Sequence, residues 1–457
     1  MLRTSRRFAF VVCVLTFVAA ACSRLPAERP ATSAVVAPRS ASAPARPPSI
    51  LLIVVDTLRY DAIVGSRAAD APFLSSLASL GTAFTRAYST QDSTPASHFS
   101  MLSGFVTGWQ TTLDDSAIGL PSQLSRKGYD TFGVAANGNL TPGALRVLAG
   151  FRRYSCLYDE WTAMTPDARA PYLQEITRRL DAYHARHNPW NEAMLYASAT
   201  RVVAHVDALL TSAKPPFFGF VNLIEPHDPY LPAAGPGSAD ARVDPDLRFR
   251  ALPRFLTDPA SISDANRRTS IERREQLADG RAWSLSDDLP AAAIETYRSR
   301  YQRKVREADD AVRQVVGLLA RRDLLDNTVV IVTSDHGEAF GEGGFMTHSL
   351  RNSGDRQALQ HVPLIIVAPD AVRASVATLV TNADVAPTLY ELAGVDWQPV
   401  AQESYVGNYG TSLVPYLGVS TSAGEPAESR ATSPAPRDLD IARRRAAARL
   451  RALGYIK

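Results

Sequence analysis

The sequence predicts an α/β protein, a three-layer α/β/α sandwich with a mostly parallel central sheet and a short C-terminal extension. Short, β-branched apolar runs recur at Ile50–Val55, Thr131–Ala135, Phe217–Ile224, Val329–Val332 and Val362–Val367. Helical-looking stretches separate them, and that alternation is the pattern of a parallel sheet covered on both faces. The first four runs end in residues suited to metal and phosphate chemistry: Asp56, Asn137, Glu225-Pro226-His227-Asp228 and Asp335-His336. Open α/β sheets collect ligands beyond the carboxyl ends of their strands, so these residues fall where a site belongs.

At the N-terminus, Arg3, Arg6 and Arg7 precede an apolar run from Phe8 to Ala21. A basic start, a short apolar core and small terminal residues read as a signal peptide, residues 1–22. Small residues directly before Cys22 resemble a lipoprotein cleavage site, which would leave Cys22 acylated; the alternative is plain cleavage after the alanines. Residues 23–48 are a Pro/Ala-rich linker with little to bury. The expected location is therefore exported, periplasmic or at the cell envelope; the lipoprotein alternative adds a membrane anchor through Cys22, and plain cleavage does not. Of three cysteines, Cys156 alone lies outside the signal region, which excludes an intramolecular disulfide framework once the signal is removed. Its surroundings are neither basic nor Gly-rich, so it reads as inert.

The body, residues 49–417, opens with Asp56 at the exit of its first strand. Next, Ser93-Thr94-Pro95 begins a helix, with Thr94 at the cap and Pro95 in the first helical position. A hydroxyl there, beside a cation and the partial positive charge of a helix N-terminus, has the setting of a nucleophile. Two polar stretches, about 152–213 and 233–290, read as insertions that wall the site. His227 and His348 are candidates to protonate a leaving group. Asp56, Thr94, Asp335 and His336 together offer a mixed oxygen and nitrogen set for one divalent ion, Ca²⁺, Mn²⁺, Mg²⁺ or Zn²⁺. Residues 418–457 form a low-complexity segment and a basic helix, Arg443–Leu453. The formal net charge of +3 gives no case for a nucleic-acid partner.

Order and spacing from Ser49 to Leu417 resemble the sulfatases and their phosphohydrolase relatives in the alkaline phosphatase superfamily. The resemblance rests on Val55-Asp56-Thr57-Leu58-Arg59-Tyr60-Asp61, Thr94 to Gly104, Glu225 to Tyr230, Asp326 to Gly344, and Asn382 to Val395. It implies an alkaline phosphatase-like fold, ester hydrolysis and a bound metal. Sulfatases carry a Cys or Ser, converted to formylglycine, in a Cys/Ser-x-Pro-x-Arg motif. Aligned on Ser100-Met101-Leu102-Ser103-Gly104, that position is Thr94 and the Arg place is His98; reading Ser93-Thr94-Pro95 as Ser-x-Pro shifts the spacing by one. Threonine cannot become formylglycine. The second carboxylate after the first strand is replaced by Thr57. Such a site is similar to phosphodiesterases, phosphoethanolamine transferases and lipoteichoic acid synthases, in which Thr attacks phosphorus directly.

The expectation is a metal-dependent hydrolase of sulfate or phosphate esters acting on a small-molecule, glycan or lipid ester. Thr94 is the nucleophile; Asp56, Thr94, Asp335 and His336 hold the cation; His227 and His348 assist the leaving group; His98 and Asn137 contact substrate. The rival readings are a transferase of phospho-head groups onto an envelope glycan or lipid, and a catalytically degenerate binding protein. The sequence leaves oligomeric state open.

Overall fold

Strand β1 (Ser49–Val55) is the axis of the sheet, and all seven of its residues are buried. Leu51, Ile53 and Val55 enter one apolar core, while Ile50, Leu52 and Val54 enter the other. Successive strand side chains point to opposite faces. A strand packed on both sides therefore needs an unbroken apolar run, and this is why the sequence shows no polar alternation there. The computed structural model describes residues 47–106, 119–181, 189–228, 230, 291–342, 346–348, 356–369, 371–397 and 409–419. The expected signal segment, most of the linker, the insertion at 233–290 and the C-terminal helix lie outside the described residues.

The remaining strands are β2 (Thr82–Phe84), β3 (Ala87–Tyr88), β4 (Asp130–Ala135), β5 (Arg153–Cys156), β6 (Phe217–Leu223) and β7 (Thr328–Thr333). They continue with β8 (Ala339–Phe340), β9 (Met346–Thr347), β10 (Leu364–Val367), β11 (Ala374–Val376) and β12 (Val380–Thr381). Eight of them form the central sheet in the order β11-β2-β10-β7-β1-β6-β4-β5. β1 runs parallel to β6 and β7, and β4 runs parallel to β6 and β5. The carboxyl ends of β1, β4, β6 and β7 consequently share one edge.

Helix α1 (Pro72–Leu80) and the helices Ala199–Ser212 and Ala291–Arg321 cover one face. In the long helix Ala291–Arg321, Tyr297, Tyr301, Val305, Ala308, Val312, Val315 and Leu319 are buried, the spacing of a helix that presents one apolar stripe. Helices α2 (Thr94–Ser103), α3 (Leu120–Arg126) and Val385–Leu392 cover the other face. The predicted sandwich is therefore present. Among the described residues no helix is long and apolar enough to cross a membrane.

Two details depart from the sequence reading. β10, from the Val362–Val367 run, pairs antiparallel with both β7 and β2, because an apolar run carries no signature of direction. The stretch at 152–213 is not a simple insertion: β5 extends the sheet beyond β4, and Val202, Val206 and Leu210 enter the core. Its polar character comes from an edge strand and the outward faces of amphipathic helices.

Candidate active site

Four strand ends build the site. β1 delivers Asp56, whose N–H donates to Leu223 O at 2.9 Å. The next residue, Thr57, has φ +57°, a left-handed conformation that is strained for a β-branched side chain. Four bonds hold this turn. Thr57 N–H donates to Asp335 Oδ1 at 3.1 Å, Leu58 N–H donates to Ser334 Oγ at 2.8 Å, and the Tyr301 hydroxyl donates to Thr57 O while accepting from Arg59 N–H, both at 2.9 Å.

β7 delivers Asp335 and His336, both fully buried. Asp335 Oδ1 also accepts from His336 N–H at 2.9 Å. His336 Nδ1 donates to Gly337 O at 2.9 Å. That bond fixes the tautomer and leaves the Nε2 lone pair facing Asp335 Oδ2 at 3.4 Å and Thr94 Oγ1 at 3.4 Å. Gly337 is required at this turn: a Cβ there would lie 2.0 Å from Ala358 O.

Thr94 is the first residue of α2, with Ser93 in the capping position, one residue earlier than the sequence placed the cap. Thr94 is 3% exposed, at a helix end that favours negative charge. At the exit of β4, the Asn137 Nδ2 group donates to Asp56 Oδ2 at 2.7 Å and reaches Thr94 Oγ1 at 3.4 Å. Asn137 thus bridges the carboxylate and the hydroxyl. His98 lies one helical turn below Thr94, fully buried, with Nδ1 2.9 Å from Thr94 O and 3.7 Å from Asp335 Oδ2.

Opposite stand two more histidines. His227, after β6, directs Nδ1 at Asp228 Oδ1 at 2.8 Å. His348 directs Nδ1 at Glu338 Oε1 at 3.0 Å, and Glu338 also accepts from the Tyr230 hydroxyl. The His348 ring lies 4.5 Å from that of His336 and 4.9 Å from that of His227, centroid to centroid. The structure thus gathers every residue the sequence singled out. Sequence reasoning missed Glu338: it directly follows Asp335-His336-Gly337, but only the fold reveals that it is fully buried against His348 and Tyr230.

Electrostatics divide the site. Burial, then the neighbouring Asp335, pushes the Asp56 carboxyl up to about 7. Burial also lowers His336, to about 4, which keeps its imidazole neutral. For His227 burial opposes charge, but Asp228, with Asp56 and Glu338 nearby, pushes its pKa up to about 10. His348 is raised likewise, as Glu338 outweighs burial.

The donor set suits a cation. Ligand atoms of Asp56, Asp335 and His336 all lie within 4.8 Å of one another. Asp56 Oδ1 and Asp335 Oδ2 are buried without a hydrogen-bond partner among the described residues. Two buried carboxylate oxygens left unpaired, beside a neutral imidazole lone pair, are what a divalent ion satisfies.

Fold and cluster together define an alkaline phosphatase-like α/β protein with a buried cluster of carboxylates and imidazole, suited to a cation, at the carboxyl edge of its sheet. Residues 48–395 match the family model described as Sulfatase, and the chain belongs to the sulfatase family. Arylsulfatase K of Canis lupus familiaris is 24% identical over 362 residues, covering 76% of this chain and 63% of the relative; the chain thus spans less than two thirds of that protein. Choline-sulfatase of Rhizobium meliloti is 24% identical over 392 residues, covering 81% of this chain and 71% of the relative. Among solved structures, a phosphonate monoester hydrolase of Agrobacterium radiobacter superposes with a TM-score of 0.53 at 19% identity, covering 84% of this chain and 79% of that one. A 2-O GAG sulfatase gives 0.53 at 17% identity, covering 84% and 76%. These superpositions show a shared fold.

Proposed function

We propose that this protein hydrolyses phosphate or sulfate esters through Thr94, with phosphate esters the better match. The observation that carries the proposal is the position of the Thr94 hydroxyl. It heads a helix, lies 3.4 Å from both His336 Nε2 and Asn137 Nδ2, and belongs to a centre whose two buried carboxylates each leave one oxygen unpaired. Membership in the sulfatase family supports ester hydrolysis. An unmodified threonine, which cannot become formylglycine, supports phosphorus as the atom attacked.

As the Thr94 hydroxyl proton passes to solvent, Oγ1 attacks phosphorus, the bond to the ester oxygen breaks, and that oxygen takes a proton from His227 or His348. Water then attacks the threonyl phosphorus and returns a proton to that histidine; the bond to Thr94 Oγ1 breaks, phosphate is released, and Oγ1 recovers a proton from solvent. A divalent ion held by Asp56, Thr94, Asp335 and His336 would lower the hydroxyl's pKa and neutralise charge on the transferring group. Asp228 and Glu338 orient the two proton-donating imidazoles. Asn137 holds Asp56 and the nucleophile in register, while His98 props the first turn of α2. The N-terminal sequence supports export, with the body tethered through Cys22.

The test is turnover of chromogenic sulfate monoester, phosphate monoester and phosphate diester, each with EDTA and with added Ca²⁺, Mn²⁺, Mg²⁺ or Zn²⁺, beside Thr94→Ala. Metal-dependent turnover lost in Thr94→Ala supports the reading. A preference for the sulfate monoester overturns the choice of phosphorus, and turnover that survives Thr94→Ala overturns the nucleophile.

A further inference from the structure

β6 reads Phe-Phe-Gly-Phe-Val-Asn-Leu from Phe217 to Leu223, with all seven residues buried. Asn222 is its only polar side chain, fully buried in the middle of the sheet, facing Val54 of β1 on one side and Ala135 of β4 on the other. A buried amide among apolar neighbours is unfavourable unless it is hydrogen-bonded. Asn222 is only partly satisfied. Its Oδ1 accepts from Ala136 N–H at 3.2 Å and from Asn137 N–H at 3.0 Å, while its Nδ2 has no partner among the described residues. The orientation of the amide is forced, because exchanging oxygen and nitrogen would set an NH₂ group against two N–H donors.

The two donors explain why an amide is needed here. β4 ends at Ala135, so the backbone N–H groups of residues 136 and 137 leave the regular ladder while still inside the protein, where each requires an acceptor. Asn222 Oδ1 stands in for the missing carbonyl and turns the chain just beyond β4. The residue fixed by that turn is Asn137, whose Nδ2 donates to Asp56 Oδ2 at 2.7 Å and reaches Thr94 Oγ1 at 3.4 Å.

We infer that Asn222 is a positioning residue for the Thr94 nucleophile, acting through the backbone of Asn137 rather than by touching substrate. The inference rests on the proposed role of Thr94. It treats Asn222, Asn137 and the pair Asp56 and Thr94 as one chain of contacts, in which removing either amide breaks the same link.

The test is a double-mutant cycle of Asn222→Leu and Asn137→Ala, with Thr94→Ala alongside. Leucine keeps the bulk and the strand preference of the site while removing the acceptor. Asn222→Leu is expected to lower kcat about 10- to 100-fold, the scale of losing a group that orients a site residue, with KM changed less than about threefold. Adding Asn137→Ala to it is expected to cost less than about threefold more, since members of one contact network do not act additively. Amide hydrogen exchange at residues 136 and 137 is expected to accelerate in Asn222→Leu. If Asn222→Leu does not fold, Asn222→Asp, which keeps a two-bond acceptor, must exceed Asn137→Ala in kcat. Losses that multiply, or faster exchange with unchanged kcat, overturn the inference while leaving Thr94 in place. Turnover surviving Thr94→Ala instead overturns the reading beneath it.

Discussion

The His336 and His348 rings lie 4.5 Å apart, centroid to centroid, yet their surroundings shift their pKa values in opposite directions. His336 donates its Nδ1 proton to a backbone carbonyl, Gly337 O, and burial keeps it neutral. His348 faces the Glu338 carboxylate, and His227 faces Asp228; both are raised, His227 to about 10. A carbonyl fixes a tautomer without favouring the cation, whereas a carboxylate favours the cation. The ends of β1 and β7 thus form a half that accepts positive charge, and the end of β6 with the segment after β7 forms a half that supplies it.

The contrast separates the expected effects. Asp335→Asn on the accepting side replaces the unpaired Oδ2, the proposed ligand atom, by an NH₂ group, while its amide oxygen still accepts from Thr57 and His336 N–H. Turnover is expected to fall by roughly 10³-fold, with weaker cation binding in a titration; unchanged metal affinity would remove Asp335 from that half. On the supplying side, His348→Asn is expected to leave metal content intact. It should cost about 10²-fold on esters of poorly leaving alcohols and only a few-fold on nitrophenyl esters. An equal loss on both would show that His348 is not a proton donor. Glu338→Gln, which keeps a hydrogen bond but not the charge, is expected to show the same leaving-group dependence at about tenfold.

The smallest effect belongs to a group outside both halves. Burial pushes the Cys156 thiol up to about 11 from an ordinary value near 9.0. Between those values the unfolded chain releases a proton that the folded chain keeps, so its contribution to stability is full below about 9 and falls as pH rises. Native protein is expected to resist thiol reagents at pH 8 and react after denaturation. In thermal melts Cys156→Ala should flatten the decline above pH 9, and an equally steep decline in that variant would clear Cys156 of the effect.

The accepting half was the more legible in the sequence. Asp56 and Asp335-His336 directly follow apolar runs, and Thr94-Pro95 marks a helix start, so local pattern and the rule for strand ends place them. The supplying half depends on contacts across the fold. His348 pairs with Glu338, but that carboxylate is oriented by Tyr230, more than a hundred positions away in the chain. The left-handed turn at Thr57 was not legible either, because Tyr301 and Ser334 hold it from distant segments. The antiparallel course of β10 and the sheet position of β5 were lost for a related reason: period and composition say that a segment is a strand, not which neighbour it joins.

Every step of the proposed reaction passes through Thr94 Oγ1 as the atom that takes the transferred group. The direct measurement is acid quench of the enzyme during turnover of a phosphate ester with added metal, followed by peptide mass spectrometry. One phosphoryl group is expected on the peptide carrying Thr94, absent from Thr94→Ala. A phosphoryl group on any other residue, or full turnover by Thr94→Ala, would contradict that reaction.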